Sequence, residues 1–212
     1  KDRGLYHRKV WLMRTRFDEQ LKQLNNEMIQ MGSLIENAIQ NAVRAFFDKD
    51  TELAKKIMDN DELVDQEQKK IENICFQLLI QRQPVARDLR EISAALKMVS
   101  DMERIGDQSE DISEFIKYLG KKAENDCQYI YLMAEASIKM VSDSIEAYVK
   151  KDLALAQLAI AYDDVIDDYF IKTKKTIINL IKQKSDDGEY LLDLLMVAKY
   201  FERIGDHAVN IA

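Results

Sequence analysis

The chain has 212 residues and a formal net charge of −7, with 47% hydrophobic and 33% charged residues but only one proline and six glycines. Few breakers and dense charge favour a mostly helical protein over a sheet protein. The negative charge argues against general binding to nucleic-acid backbones and fits cations or basic protein surfaces better. Because no run of about 18 apolar residues occurs, we predict no membrane-spanning helix and expect a cytoplasmic protein.

Apolar residues recur every three or four positions along the chain, which is the spacing of amphipathic helices. The six predicted helices cover residues 17–47, 51–81, 85–118, 131–148, 152–184 and 189–212. Thr51 is predicted to cap the second helix, Pro84 fits the first turn of the third, and Gly120 lies near its end. Cys75 and Cys127 lack CxxC spacing, which favours buried, reduced thiols over a disulfide or zinc site.

The sequence contains an internal duplication. The pentapeptide Glu-Arg-Ile-Gly-Asp occurs at residues 103–107 and again 99 residues later, at 202–206. A pair of aspartates four residues apart also recurs, with an offset of 102: Asp61 and Asp65, then Asp163 and Asp167. The offset changes only in the turn between the second and third helices of each unit, as duplication of a structural unit predicts.

Each unit should fold as an up-down-up bundle of three long helices. The expected fold is therefore all-α, with two tandem three-helix bundles related by a pseudo-twofold axis, lying either side by side or end to end. We expect the first bundle over residues 17–122 and the second over residues 127–212. Residues 1–16 are treated as a leader or extension without assigned function.

The duplicated acidic pairs are the candidate site. Residues four apart share one helical face, where two carboxylates repel each other unless a cation bridges them. One such pair is usually solvated surface charge, but here both pairs recur on neighbouring helices and are predicted to converge. The candidate metal ligands are Asp61, Asp65, Glu103 and Asp107 in the first bundle and Asp163, Asp167, Glu202 and Asp206 in the second.

Gly106 and Gly205 lie mid-helix inside the motif, where glycine costs about 1 kcal/mol relative to alanine. Either close helix packing or space for an ion would explain them. All-carboxylate sites suit iron, manganese, magnesium or calcium better than a lone zinc ion. His207 points about 100° away from the Asp206 direction, so the metal hypothesis does not depend on histidine, and no catalytic nucleophile or phosphate-binding loop is found.

These motifs resemble the PhoU family of bacterial phosphate-transport accessory proteins. The resemblance rests on the doubled Glu-Arg-Ile-Gly-Asp motif, the opening TRFDEQL at residues 15–21 and the closing ERIGDHAVNI at residues 202–211. It implies a non-enzymatic negative regulator of phosphate uptake and phosphate-starvation signalling. It also implies contacts with the ATPase subunit of a phosphate ABC transporter and with a membrane sensor kinase, and iron or zinc at the acidic motifs.

Two other functions stay open at this point: a carboxylate-bridged metalloenzyme and a plain helical scaffold whose acidic pairs are solvated. The first copy of the motif continues with Glu110 and Asp111 where the second has Val209 and Asn210, so the first site is more acidic. We expect no nucleic-acid partner and only indirect contact with the membrane. Long exposed bundles also favour a homodimer.

Overall fold

The computed structural model describes residues 2–81, 85–116, 128–183 and 187–212, with the backbone alone for residues 2–16 and 81. Its helices are α1 (Asp2–Asp48), α2 (Thr51–Gln81), α3 (Ala86–Ile116), α4 (Gln128–Lys150), α5 (Leu153–Ala161), α6 (Asp163–Gln183) and α7 (Gly188–Ile211). The described ranges contain no β-strand. Pro84, Gly120 and Cys127 lie outside them, so the predictions made for those residues are not addressed.

The helices form two bundles that lie side by side. In the first, α1, α2 and α3 contact one another, and in the second α4 and α7 pack with α5 and α6. The bundles meet where α3 packs on α7 and α1 packs on α4. The sequence left side-by-side and end-to-end arrangements open. The contacts of α3 with α7 and of α1 with α4 show that the bundles lie side by side. The predicted all-α fold with tandem bundles is confirmed.

The predicted apolar stripe of α1 forms the centre of the first bundle. Met28, Met31 and Ile35 are all completely buried, as are Ile92 and Ile105 of α3. Cys75 is also buried, and burial raises the pKa of its thiol to about 12, which agrees with the interpretation of this cysteine as an inert core residue. The first helix begins at Asp2 rather than near residue 17, so its predicted start was too late.

Buried serines help to join α4 to α7 in the second bundle. Ser137 Oγ donates a hydrogen bond to the Phe201 carbonyl oxygen at 3.1 Å, and Ser144 Oγ donates one to the Ala208 carbonyl oxygen at 2.9 Å. Tyr131, which opens the predicted apolar stripe of α4, is exposed instead. Its ring lies against the edge of Phe47 in α1, so this tyrosine covers the junction between bundles and is not part of the core.

The duplication is visible in the turn that follows the first helix of each bundle. Lys49 and Lys151 are the two described non-glycine residues with positive φ, at 55° and 56°. The next residue, Asp50 or Asp152, donates its amide to the carbonyl oxygen of Ala45 or Ala147 at 3.0 and 2.9 Å. This is the left-handed helix ending that commonly stops an α-helix. An identical backbone path at matched positions supports one structural unit used twice.

Two predicted helix features need correction. Asp50, and not Thr51, caps α2, because its Oδ1 accepts hydrogen bonds from the amides of Glu52 and Leu53 at 3.1 and 2.9 Å. The single fifth helix predicted over residues 152–184 is two segments, α5 and α6, separated by Tyr162. The Tyr162 carbonyl accepts from the Val165 amide three residues on, which tightens the helix locally.

Candidate functional site

The two glycines of the repeated motif bring the acidic helices into close contact. A β-carbon on Gly106 would lie 3.1 Å from Val64 Cγ1 and 3.5 Å from Asp61 Oδ1. Because residue 106 has no side chain, α2 can approach α3 closely at this point, next to Asp61. The first of the two explanations offered for these glycines, close helix packing, is thus the one that the contacts support.

The four predicted carboxylates of the first bundle lie near one another. Burial raises the pKa of Asp61, and the charges of Asp107 and Asp65 raise it further. Burial likewise raises the pKa of Glu103, with repulsion from Asp107, Asp65 and Asp61 adding to it and attraction to Arg104 opposing it. Because like charges raise a pKa only when they are close, the acids of α2 and α3 meet on one face. We call the group of Asp61, Asp65, Glu103, Asp107, Glu110 and Asp111 the first acidic cluster.

Glu110 and Asp111 belong to this cluster although they were not among the predicted ligands. The pKa of Glu110 is raised by burial and then by the charges of Asp61 and Asp107. The pKa of Asp111 is raised by burial and by Asp107, while Arg203 of the other bundle lowers it. The signal was present in the sequence, since these residues follow Asp107 by three and four positions and therefore share its helical face.

The second bundle carries a matching set with fewer carboxylates. We call the group of Asp163, Asp167, Glu202 and Asp206 the second acidic cluster. Burial, followed by repulsion from Asp167, Asp206 and Glu202, raises the pKa of Asp163 to about 6. Asp167 and Asp206 are exposed. Glu202 forms an ion pair with Lys199 on the same helix. The first bundle has the uncharged Ser100 at the position that corresponds to Lys199.

The glycine contact is also tighter in the second bundle. A β-carbon on Gly205 would lie 2.9 Å from Ile166 Cδ1 and 3.1 Å from Asp163 Oδ1. In the first bundle, by contrast, a small cavity of about 90 Å³ lies beside Gly106 and Asp61. The amide side chains of Asn37, Asn41 and Asn60 also line this cavity. The two clusters therefore share one design but differ in the space around the carboxylates.

Both clusters are concentrations of carboxylate oxygens that repel one another, and a bound hard cation would relieve that repulsion. In the described part of the chain, no group of three or more histidine, cysteine, aspartate or glutamate side chains is already arranged to hold a metal ion. Carboxylate side chains of the clusters would have to rotate to form such a group. The eight predicted residues therefore stay predicted ligands.

His207 acts at the contact between bundles. Its Nδ1 lies 2.9 Å from Asp101 Oδ1 of α3, and Asn210 donates a hydrogen bond to the same oxygen at 3.0 Å. This agrees with the expectation that the imidazole points away from the direction of Asp206. No helix of the described ranges is both long and apolar enough to cross a membrane.

Comparison with known proteins places the chain among proteins with this architecture. The family model described as "PhoU domain" matches residues 28–116 and 130–212, one match in each bundle. A phosphate-specific transport system accessory protein PhoU homolog of Clostridium acetobutylicum is 34% identical over 197 residues, covering 92% of this chain and 90% of that protein. A protein of the same description from Borreliella burgdorferi is 31% identical over 207 residues, covering 94% and 93%.

Two crystal structures are also similar along most of their length. That of PhoU from Pseudomonas aeruginosa has a TM-score of 0.88 and 28% identity, covering 92% of this chain and 94% of that one. That of the phosphate transport system regulatory protein PhoU from Streptococcus pneumoniae has a TM-score of 0.85 and 28% identity, covering 92% of each chain. The chain therefore belongs to the PhoU family, a family of regulatory accessory proteins and not of enzymes.

Proposed function

We propose that this protein is a cytoplasmic accessory of a phosphate ABC transporter that restrains phosphate uptake and phosphate-starvation signalling. In this role it binds the transporter through the ATPase subunit and also binds a membrane sensor kinase. The observation that carries the proposal is the match of both bundles to the PhoU domain, together with relatives named as phosphate transport accessory and regulatory proteins. The charged surface of the long helices supports a role in protein contacts.

We further propose that the two acidic clusters bind metal ions. The residues fit such ions chemically, because each cluster offers at least four carboxylates and hard cations prefer oxygen ligands. Iron, manganese, magnesium and calcium are the best candidates, with zinc less favoured by an all-oxygen set. A bound cation would neutralise the charge that the carboxylates concentrate. The residues themselves would position it between α2 and α3, and between α6 and α7, and so fix how these helices approach each other.

Deletion of the gene tests the regulatory role. With phosphate in excess, loss of a restraining accessory protein should raise expression of phosphate-responsive genes, and transcript measurement would show this. Unchanged expression would contradict the proposal. Affinity purification from membrane extracts, with the transporter ATPase and the sensor kinase followed by immunoblot, tests the adaptor role separately.

Metal analysis separates the metal-binding adaptor from a plain helical scaffold. The protein is purified without chelator, and its bound metals are measured by mass spectrometry. Asp65→Ala plus Asp107→Ala should lower the metal content, because two carboxylates leave the first cluster. Glu19→Ala plus Glu52→Ala removes two exposed carboxylates outside both clusters and should leave the content unchanged. Equal metal in all three proteins would favour the scaffold.

A further inference from the structure

A groove between the start of α3 and the junction of α4 with α5 stands out because its charge is opposite to that of the chain. It consists of two adjoining cavities of about 570 and 370 Å³ that share Tyr148 and Lys151. Arg87 and Arg90 line the first cavity, and Lys97 lines the second. We call this surface the basic groove.

The cations of the groove are available to a ligand. Arg87, Arg90 and Lys97 are exposed, and among the described residues none of the three forms an ion pair with a carboxylate. They follow one another along α3 over ten residues, or about 15 Å of helix. Glu91 and Asp152 also line the groove, but its four basic residues outnumber them. In a protein with a net charge of −7, this local excess of positive charge attracts anionic groups.

The wall of the groove is held in place by contacts between the bundles. Lys151 Nζ lies 2.7 Å from Glu91 Oε2, and the Tyr148 hydroxyl donates a hydrogen bond to the Glu91 carbonyl oxygen at 3.3 Å. These contacts fix the α4–α5 junction against α3.

The groove also presents apolar surface. Leu153, the first residue of α5, lines the second cavity and is 73% exposed. Met98 and Ala156 line the same cavity but are buried, so Leu153 supplies most of the exposed apolar surface. A ligand that satisfies only the charges would leave this surface in water, so the groove suits a partner with both acidic and apolar side chains.

The duplication provides an internal comparison. With the offset of 99 that relates α3 to α7, Arg90 matches Glu189 and Lys97 matches Met196. With the offset of 102, the exposed Leu153 matches the polar Thr51. The same fold thus tolerates acidic and neutral residues at these positions. The basic charge and the exposed leucine are therefore features of this groove and not of the repeated fold.

We propose that the basic groove is the docking site for an acidic, amphipathic segment of a protein partner, bound with its carboxylates on Arg87, Arg90 and Lys97 and its apolar side chains on Leu153. Charge complementarity selects this occupant, and an amphipathic helix laid in a groove is a recurrent mode of recognition. The inference rests on the proposed function in supposing a protein partner, and it adds the surface and the partner's chemistry.

The direct test is fluorescence anisotropy with a labelled helical peptide of glutamate and leucine, its leucines spaced three and four residues apart. The peptide should bind the wild-type protein. A peptide with lysine in place of glutamate, and one with glutamine in place of leucine, should bind at least about tenfold more weakly. Absence of binding by the glutamate and leucine peptide would overturn the proposal.

Variants place the binding in the groove. Arg87→Glu plus Arg90→Glu should weaken binding of the peptide by more than about tenfold. Leu153→Asn should weaken its binding several-fold. Lys174→Glu plus Lys175→Glu makes the same change of charge on exposed lysines of α6 and should leave binding intact. Arg87→Gln plus Arg90→Gln, checked by circular dichroism, removes the charges without reversing them and should also weaken binding. Equal loss in the Arg and Lys variants would show non-specific attraction and overturn the proposal.

Two further measurements address other occupants. A wild-type dimer that the Arg87→Glu plus Arg90→Glu variant dissociates, seen by sedimentation, would make the groove an interface between copies and refute the proposed occupant. Binding to phosphatidylserine vesicles that displaces the peptide would likewise refute it. Peptide binding is independent of phosphate-responsive gene expression. Unchanged gene expression after deletion would contradict the regulatory role without affecting the peptide-binding result. Absence of peptide binding would contradict the proposed docking site without affecting the regulatory role.

Discussion

Ile166 packs directly on Gly205, with its Cδ1 atom 2.9 Å from the point that a β-carbon at residue 205 would occupy. Val64 and Gly106 form the matching contact in the first bundle at 3.1 Å. In both bundles an acidic residue, Asp61 or Asp163, lies beside the glycine. The contact that holds the helices together therefore also sets the spacing of the carboxylates across them.

Gly205→Ala should destabilise the protein. A methyl group at this point would overpack the core at a cost of about 1–3 kcal/mol, which exceeds the gain of about 1 kcal/mol from better helix propensity. We expect the free energy of unfolding, measured in urea, to fall by about 1 kcal/mol. Gly188→Ala is the control, because nothing lies within 4 Å of its β-carbon position. If Ile166→Val does not lessen the effect of Gly205→Ala in a double-mutant cycle, the contact is not the cause.

Asp163→Asn should stabilise the metal-free protein at neutral pH. The folded-state pKa of Asp163 is about 6, above its ordinary 3.8. Its favourable contribution to stability is therefore present below about pH 4 and is lost as the pH rises through 6. The substitution removes a penalty of about 1 kcal/mol at pH 7.5, reduced from the full shift because the side chain is partly exposed.

Thermal unfolding with a chelator from pH 4 to 8 tests the Asp163 prediction. The wild-type protein should lose stability relative to Asp163→Asn as the pH rises, and the two curves should approach each other near pH 4. Asp164→Asn, at the next residue in the chain, removes a carboxylate that is exposed and is the matched control. A constant difference between wild type and Asp163→Asn at all pH values would contradict the assignment.

The first acidic cluster should bind a divalent cation more tightly than the second. It has six carboxylates, and in the described part of the chain its ion pair with a lysine, Lys69 Nζ to Asp65 Oδ2 at 3.4 Å, is largely exposed. In the second cluster Lys199 neutralises Glu202. Calorimetric titration with Mn²⁺ should show two classes of site differing at least about tenfold, since affinity rises with ligand charge. Asp107→Asn should remove the tighter class and Asp206→Asn the weaker, and the reverse pattern would refute this ranking.

Asp50→Ala should cost about 1 kcal/mol of stability, because two amides at the start of α2 lose their acceptor. Thr51→Ala should change stability little, since Thr51 already lies inside the helix and is exposed. Asp152→Ala should resemble Asp50→Ala, because Asp152 accepts from the Leu155 amide at 3.1 Å. Chemical unfolding of the three variants checks the order, and a larger effect at Thr51 would contradict it.

The repeated motifs were sufficient to predict the duplication and the meeting of the acids. Two carboxylates four residues apart share a helical face whatever surrounds them, and only four residues separate α2 from α3 in the sequence. The bounds of α2 agree with the predicted residues 51–81, because the spacing of its apolar residues and the residues at its two ends are local features of the sequence. The identification of the PhoU family from the same motifs is also confirmed.

Contacts between distant residues decided the rest. Glu110 is close enough to Asp61 of α2 for that charge to raise its pKa, and Arg203 of α7 lowers the pKa of Asp111. The basic groove forms where side chains at the α4–α5 junction contact Glu91 of α3. By itself the sequence determined the helices, the repeat and the faces on which the acids lie, because periodicity acts over a few residues. Only the tertiary structure decided that the bundles lie side by side and which charges meet, because these depend on packing between helices far apart in the chain.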